Sequence, residues 1–172
     1  MEAWTPNFSW ITPDLAVGGC FPPAEAAALA RDHGLGAVID ARAEACDDAA
    51  ALRACGLRFL HLPTADMAGV SQPMLDAGVR FAAEAARDGL RILAHCQHGI
   101  GRSAILALCI LADRGYPPIE GLRLAKDARA LVSPSEAQYR AWATWLERHG
   151  HGPTPSYEEF GMIAYRHLAT SA

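Results

Sequence analysis

The stretch His95-Cys96-Gln97-His98-Gly99-Ile100-Gly101-Arg102-Ser103 limits what this chain can fold into more than any other. An apolar run, Arg91 to Ala94, leads into it, and a helical pattern from Ala104 to Ala112 leads out. The order is therefore a buried strand, a tight loop and a helix N-terminus. Such a loop aims backbone N–H groups at one point, backed by the positive end of the helix dipole, and so makes an anion site. Gly99 and Gly101 let the backbone curl where a side chain would intrude. Cys96 opens the loop and Arg102 closes it. The planar fork of Arg102 can grip two oxygens of a phosphate at once. The same positive field favours Cys96 as the thiolate, its nucleophilic form. These residue types in this order describe a phosphate trap with a nucleophile at its base.

Cys-x5-Arg alone recurs by chance in a chain with five Cys and fourteen Arg. His95 before the Cys, glycine at two inner positions and Ser103 after the Arg make the pattern far more specific. A buried structural Cys on a turn requires none of these companions. With them, His95-Cys96-(five residues)-Arg102-Ser103 resembles the signature of the cysteine-dependent protein tyrosine phosphatases, and the short chain points to their dual-specificity branch. Weaker similarity extends over about residues 8 to 148.

At 172 residues the chain has the length of one domain with a sizeable core. Apolar residues make up 51%, but 35 of the residues are Ala, so large side chains are fewer than that figure suggests. The net charge is −4, with no basic block, which argues against nucleic acid or an anionic membrane as the main partner. No apolar run approaches the length of a membrane span, and the N-terminal residues lack the pattern of a secretory signal; a cytoplasmic protein is expected. The cysteines, Cys20, Cys46, Cys55, Cys96 and Cys109, are odd in number and irregularly spaced. Neither a disulfide framework nor a zinc ribbon is indicated, and a reducing compartment suits a thiolate nucleophile.

In chain order, Phe8–Ile11 and Leu15–Gly18 read as strands around Thr12-Pro13-Asp14. A helix is expected from about Ala24 to His33, stopped by Gly34, followed by a buried strand over 36–40. A helix from about Asp47 to Cys55 and a strand over 57–63 come next. Thr64 to Val70 is a loop, and Ser71 caps a helix over about Gln72 to Arg87. After the strand–loop–helix unit, a helix is expected over about Ile119 to Leu131. Ser133-Pro134-Ser135-Glu136 reads as a capping box with Pro at the first helical position. Gly150 to Pro155 is a linker, and Ser156-x-x-Glu159 caps a last helix to about Leu168. Strands alternating with helices, then a block of helices, imply an α/β fold with a central, mostly parallel sheet flanked by helices, and the active loop at the carboxyl end of a central strand. The whole of 1–172 is expected to be one domain, with a core of about 8–148 and a helical extension over 156–172.

Transfer of a phosphoryl group to Cys96 needs three services. Arg102 and the loop amides of Gln97, His98, Gly99, Ile100, Gly101 and Arg102 bind and neutralise the group. Covalent catalysis through a thiophosphate then divides the hydrolysis in two. A carboxylic acid must supply the leaving-group proton, and Asp66 is the candidate: it follows a strand, precedes a helix cap and lies thirty residues before Cys96. The resemblance implies the same role, since Pro63 to Asp66 reproduces a Pro-x-x-Asp setting. It also implies that the Ser103 hydroxyl bonds the Cys96 thiolate and eases its departure; a helix-capping role for Ser103 is compatible with that. No metal or cofactor is called for, as Arg102 and the amides carry the charge. His95 is expected to be a buried organiser of the loop, and His98 to point outward. Asp40-Ala41-Arg42, just after a strand, offers a brace for the active loop, but a surface salt bridge is the preferred reading and the pair is left out of the site. Gln138 is read as surface polarity on a helix, although some members of the resembled family place a water-positioning Gln there.

Gln97, His98 and Ile100 line the expected mouth without a Lys; members of the resembled family that prefer phosphoinositides tend to carry basic residues there, so the resemblance implies phosphoprotein rather than phosphoinositide substrates. Phosphotyrosine, with phosphoserine or phosphothreonine as further candidates, is the expected target. The rival readings are a catalytically weak phosphate-binding module, a phosphatase of non-protein phosphoesters such as phosphoinositides, and a sulfur-transfer or arsenate-reducing enzyme. The last would need a placed second thiol, which the spacing does not supply.

Overall fold

The computed structural model describes residues 4–169. Its five strands are β1 (Phe8–Thr12), β2 (Leu15–Gly18), β3 (Leu35–Arg42), β4 (Arg58–Thr64) and β5 (Arg91–His95), in the sheet order β1-β2-β5-β3-β4. β1 pairs antiparallel with β2 through the Pro13-Asp14 turn, and the other neighbours run parallel. The alternation along each strand divides its side chains between two apolar layers, as a sheet covered on both faces requires. Ala16, Val38 and Leu93 face a small cluster with Leu29 of α1 (Ala26–Arg31) and Leu52 of α2 (Ala49–Ala54). Leu15, Val17, Ala37, Ile39, Ile92 and Ala94 face the main core. That core is filled by α3 (Gln72–Arg87), α4 (Arg102–Asp113), α5 (Pro118–Ala128), α6 (Glu136–His149) and α7 (Tyr157–Ala164). A short α8, Arg166–Ala169, follows.

α4 carries the sequence from the loop into the centre of the molecule, and every residue from Arg102 to Ala112 is buried. A helix apolar on all sides has to be surrounded, and it is: by the sheet, α3, α5 and α6. The parallel register places Gly18, His95 and Asp40 side by side at the carboxyl ends of β2, β5 and β3. Ligands of open α/β sheets bind at this edge.

Three expected boundaries shift, each for a tertiary reason. The helix expected to reach Leu131 stops at Ala128, because Arg129 turns extended and sends its side chain under the Cys96 loop. α6 is capped by Ser135 with Gln138, not by Ser133 with Glu136, since Ser133 N–H is committed to the Ile100 carbonyl. The last helix has the expected Ser156–Glu159 capping box but breaks at Tyr165, whose hydroxyl donates to the Pro134 carbonyl. Phe160 and Ala164 of α7 are fully buried beside Trp142, so this segment completes the main core. The last three residues of the expected 156–172 extension lie outside the described residues. Among the described residues, no helix is long and apolar enough to cross a membrane.

Candidate active site

The loop from Cys96 to Gly101 closes around the Cys96 sulfur. The backbone N–H groups of Gly99, Ile100 and Ser103 point at Sγ, and the Ser103 Oγ lies 3.3 Å from it. Burial pushes the thiol pKa up, but these hydrogen bonds together outweigh it and bring the thiol below its ordinary value. Gly99 takes φ +69°, and a Cβ there would overlap the Gly18 backbone, so glycine is needed for both conformation and space. Gly101 carries no side chain because Gln138 Oε1 occupies the place of its Cβ.

Beneath the loop lies a buried ionic network. His95 is fully buried; its Nε2 meets Asp47 Oδ2 at 2.6 Å, and its Nδ1 is 3.2 Å from the Cys96 carbonyl. Arg42 donates to both Asp40 and Asp47 at 3.0 Å and reaches Gln97 Oε1 at 3.4 Å. Burial raises the Asp40 pKa, and its bonds to Arg42 and to backbone N–H more than reverse that. Asp40 and Arg42 are thus not the expected surface salt bridge. The β3–β5 pairing carries them under the loop, where they hold Asp47, the partner of His95. Asp40, Asp47 and His95 offer ligand atoms within 4.8 Å of one another, but Arg42 already bridges the two carboxylates as their counter-ion. As donors they suit this ion pair better than a metal.

Arg102 is 1% exposed and is held from two sides. Its two Nη atoms donate to the two Glu44 carboxylate oxygens at 2.7 Å, and Nη1 also donates to the Thr64 carbonyl at 2.8 Å. This bidentate pair holds Glu44 well below the usual carboxylate range, at about 2. An arginine has five N–H donors. Three are thus used, and the remaining two are Nε–H, which has no partner, and one Nη2–H. Those two form one side edge of the guanidinium, the edge that matches two oxygens of a phosphoryl group.

Asp66 sits at the rim, exposed, with Oδ1 3.6 Å from Arg102 Nη2 and accepting the Met67 N–H. Met67 is held at φ +63°, and its carbonyl accepts from Ser135 Oγ at 2.7 Å, which ties the Asp66 turn to the start of α6. Gln138 is buried, with Oε1 accepting the Ser135 N–H at 2.8 Å as half of the capping box. The expectation of surface polarity for Gln138 is therefore corrected. The residues surround one cavity of about 120 Å³ whose lining includes Cys96, Arg102, Asp66, Met67, Ile100 and Gln138. Gln97 and His98 also line it, and His98 is exposed as expected.

All the sequence candidates thus meet at one place: Cys96, Arg102 and Ser103 at the base, the loop residues around them and Asp66 at the rim. Glu44 and Arg129 are the additions. Glu44 stands two residues beyond Arg42 in the alternation Asp40-x-Arg42-x-Glu44, the only signal that could have marked it. The other four cysteines are free, Cys109 buried and the rest more accessible.

A family model described as "Polymorphic toxin system, DSP-PTPase phosphatase" matches residues 19–116. Dual specificity protein phosphatase 8 of Mus musculus is 31% identical over 83 residues, which is 47% of this chain and 12% of that protein. The chain therefore spans about an eighth of the length of that relative. Among solved structures, Tk-PTP in its active form aligns with TM-score 0.76 and 25% identity over 83% of this chain and 98% of its own. PTPMT1 in complex with PI(5)P aligns with TM-score 0.76 and 20% identity, over 82% and 95% of the two chains. With more than half of its length matched by the family model and the fold shared over 83% of it, the chain belongs to the DSP-PTPase family of phosphatases, a dual-specificity-like branch of the cysteine-dependent protein tyrosine phosphatase superfamily.

Proposed function

We propose that the chain hydrolyses phosphomonoesters on protein side chains, phosphotyrosine first, through a phosphoryl-cysteine intermediate. The observation that carries this reading is the meeting of the Cys96 sulfur, three convergent N–H groups and the side edge of Arg102, whose Nε–H has no partner, in one small cavity. The Cys96 thiolate attacks phosphorus as the P–O bond to the leaving group breaks. Loop amides and the Arg102 edge hold the equatorial oxygens, and the leaving oxygen takes a proton from Asp66. Water then attacks the thiophosphate, Asp66 carboxylate takes its proton, and the S–P bond breaks. The sulfur leaves as a thiolate that the Ser103 hydroxyl receives. Gln138, held at the cavity wall by its capping box, is placed to orient that water.

Met67 and Ile100 give the mouth an apolar lip suited to an aromatic ring. The rim presents Asp66 rather than exposed Lys or Arg, which disfavours a headgroup bearing further phosphates. The PI(5)P complex of PTPMT1 makes phosphoinositides the second reading, and parallel assays on phosphotyrosine peptide and PI(5)P rank the two.

The direct test is hydrolysis of an aryl phosphate across pH by wild type, Cys96→Ser and Asp66→Asn. Cys96→Ser abolishes turnover, and Asp66→Asn lowers it by about 10²- to 10⁴-fold with loss of the basic limb. A retained basic limb in Asp66→Asn places the acid elsewhere. A wild type that binds phosphopeptides without turnover makes the chain a recognition module.

A further inference from the structure

Arg129 is absent from the mechanism above, yet it is one of the most constrained side chains in the molecule. It leaves the end of α5 in extended backbone, φ −139° and ψ 96°, and is 5% exposed. Nε donates to the Gly99 carbonyl and Nη2 to the His98 carbonyl, both at 2.8 Å. Nη2 also reaches Asn7 Oδ1 at 2.9 Å, and Nη1 reaches Ser9 Oγ at 3.3 Å. Among the described residues, no carboxylate pairs with it. A buried cation without a counter-ion is expensive. Desolvation duly lowers the Arg129 pKa, and the opposing influence comes from the Cys96 thiolate.

The two carbonyls that Arg129 holds belong to successive peptide units. In a trans peptide the C=O and the N–H of the next residue point in opposite directions. Drawing the His98 carbonyl toward Arg129 therefore turns the Gly99 N–H away from it. Drawing the Gly99 carbonyl does the same for the Ile100 N–H. Gly99 and Ile100 are two of the three residues whose N–H groups reach Cys96 Sγ. The positive φ of Gly99 allows both planes to turn together. Asn7 and Ser9 fix the guanidinium from the β1 side, so the clamp is referenced to the sheet edge.

We propose that Arg129 is a positioning residue of the active loop: it clamps the His98 and Gly99 carbonyls outward so that the Gly99 and Ile100 amides face the Cys96 thiolate and the phosphoryl oxygens. Its buried charge adds to the field at the sulfur. The kinetic part of this proposal rests on the phosphatase reading; the thiolate part does not.

The test measures the pH dependence of Cys96 alkylation by iodoacetamide in wild type, Arg129→Gln and Arg129→Lys, following the Cys96 peptide by mass spectrometry. Thermal unfolding of each variant is recorded alongside. Arg129→Gln loses both the charge and the double clamp, so its thiol pKa rises by about one unit, a tenfold loss of thiolate below the pKa. Arg129→Lys keeps the charge without the fork and shifts the thiol less. Both variants lose aryl-phosphate turnover on the order of 100-fold, mainly in kcat, as misplaced catalytic groups do. A folded Arg129→Gln whose Cys96 titrates as in wild type overturns the proposal. Should Arg129→Gln not fold, the same comparison in Arg129→Lys decides: wild-type thiol titration together with wild-type kcat overturns it. Absence of turnover in wild type with the thiol shifts intact would refute the phosphatase reading while leaving the clamp standing.

Discussion

Removing the Asp47 carboxylate should loosen the floor of the active loop by an amount that the contacts allow one to work out. Asp47 accepts from Arg42 at 3.0 Å and from His95 at 2.6 Å, and its side chain is 4% exposed. In Asp47→Ala, Arg42 keeps its two bonds to Asp40, so no cation is left wholly unpaired. His95 Nε2 loses its partner while remaining fully buried. Two hydrogen bonds to a charged group, each of about 1.5–3 kcal/mol, bound the loss from above. Because Arg42 retains Asp40, the expected destabilisation is about 3 kcal/mol, at the low end for breaking a buried ion pair. For a chain of this size that is a fall in Tm of about 6–12 °C. Asp47→Asn keeps an acceptor toward only one of the two partners and should lose about half as much. The assay is urea unfolding with the slope checked for constancy, so that a changed midpoint reports stability. A midpoint for Asp47→Ala within about 1 kcal/mol of wild type would refute the view that this network supports the loop.

Further outcomes follow from the other contacts. Glu44 titrates at about 2 in the folded chain against 4.5 ordinarily, so its pairing stabilises fully above pH 4.5 and is lost as pH falls toward 2. Its side chain is 43% exposed, so solvent screening limits the effect to about 1 kcal/mol, read as the difference between wild type and Glu44→Gln in an acid series of urea midpoints. Gly101→Ala displaces the Gln138 side chain and with it the Ser135 N–H bond of the capping box, lowering stability by about 1 kcal/mol. The double variant Gly101→Ala/Gln138→Ala should lose less than the sum of the two single ones, and strict additivity would show that the two side chains do not compete for the same space.

Much of this was legible because the chemistry is local. Residues 91–113 carry their own strand, loop and helix signals, and the identities of Cys96, Arg102 and Ser103 follow from their order alone. Asp66 was found from its place between a strand and a helix cap. What escaped depends on which strands are neighbours. Asp40 and Arg42 read as a surface salt bridge, and Glu44 goes unmarked, until the β5–β3 pairing sets them beneath the loop near His95 and Arg102. Nothing within 30 residues of Arg102 indicates its 58-residue reach to Glu44. Helix ends failed in the same way. α5 ends at Arg129 and α6 starts at Ser135 because the segment between them is committed to the Cys96 loop, through the Gly99 and Ile100 carbonyls. Propensity reads only the segment itself, and these boundaries are set from outside it.

The proposed mechanism turns on Cys96 receiving the phosphoryl group. The most direct measurement is acid quenching of the enzyme during turnover of an aryl phosphate, followed by peptide mass spectrometry to locate the covalent phosphate. Asp66→Asn is included to follow how its loss changes accumulation of the intermediate. Phosphate is expected on the peptide containing Cys96 and absent from Cys96→Ser. Sustained turnover with the phosphate on another residue, or with Cys96→Ser as active as wild type, would contradict that mechanism.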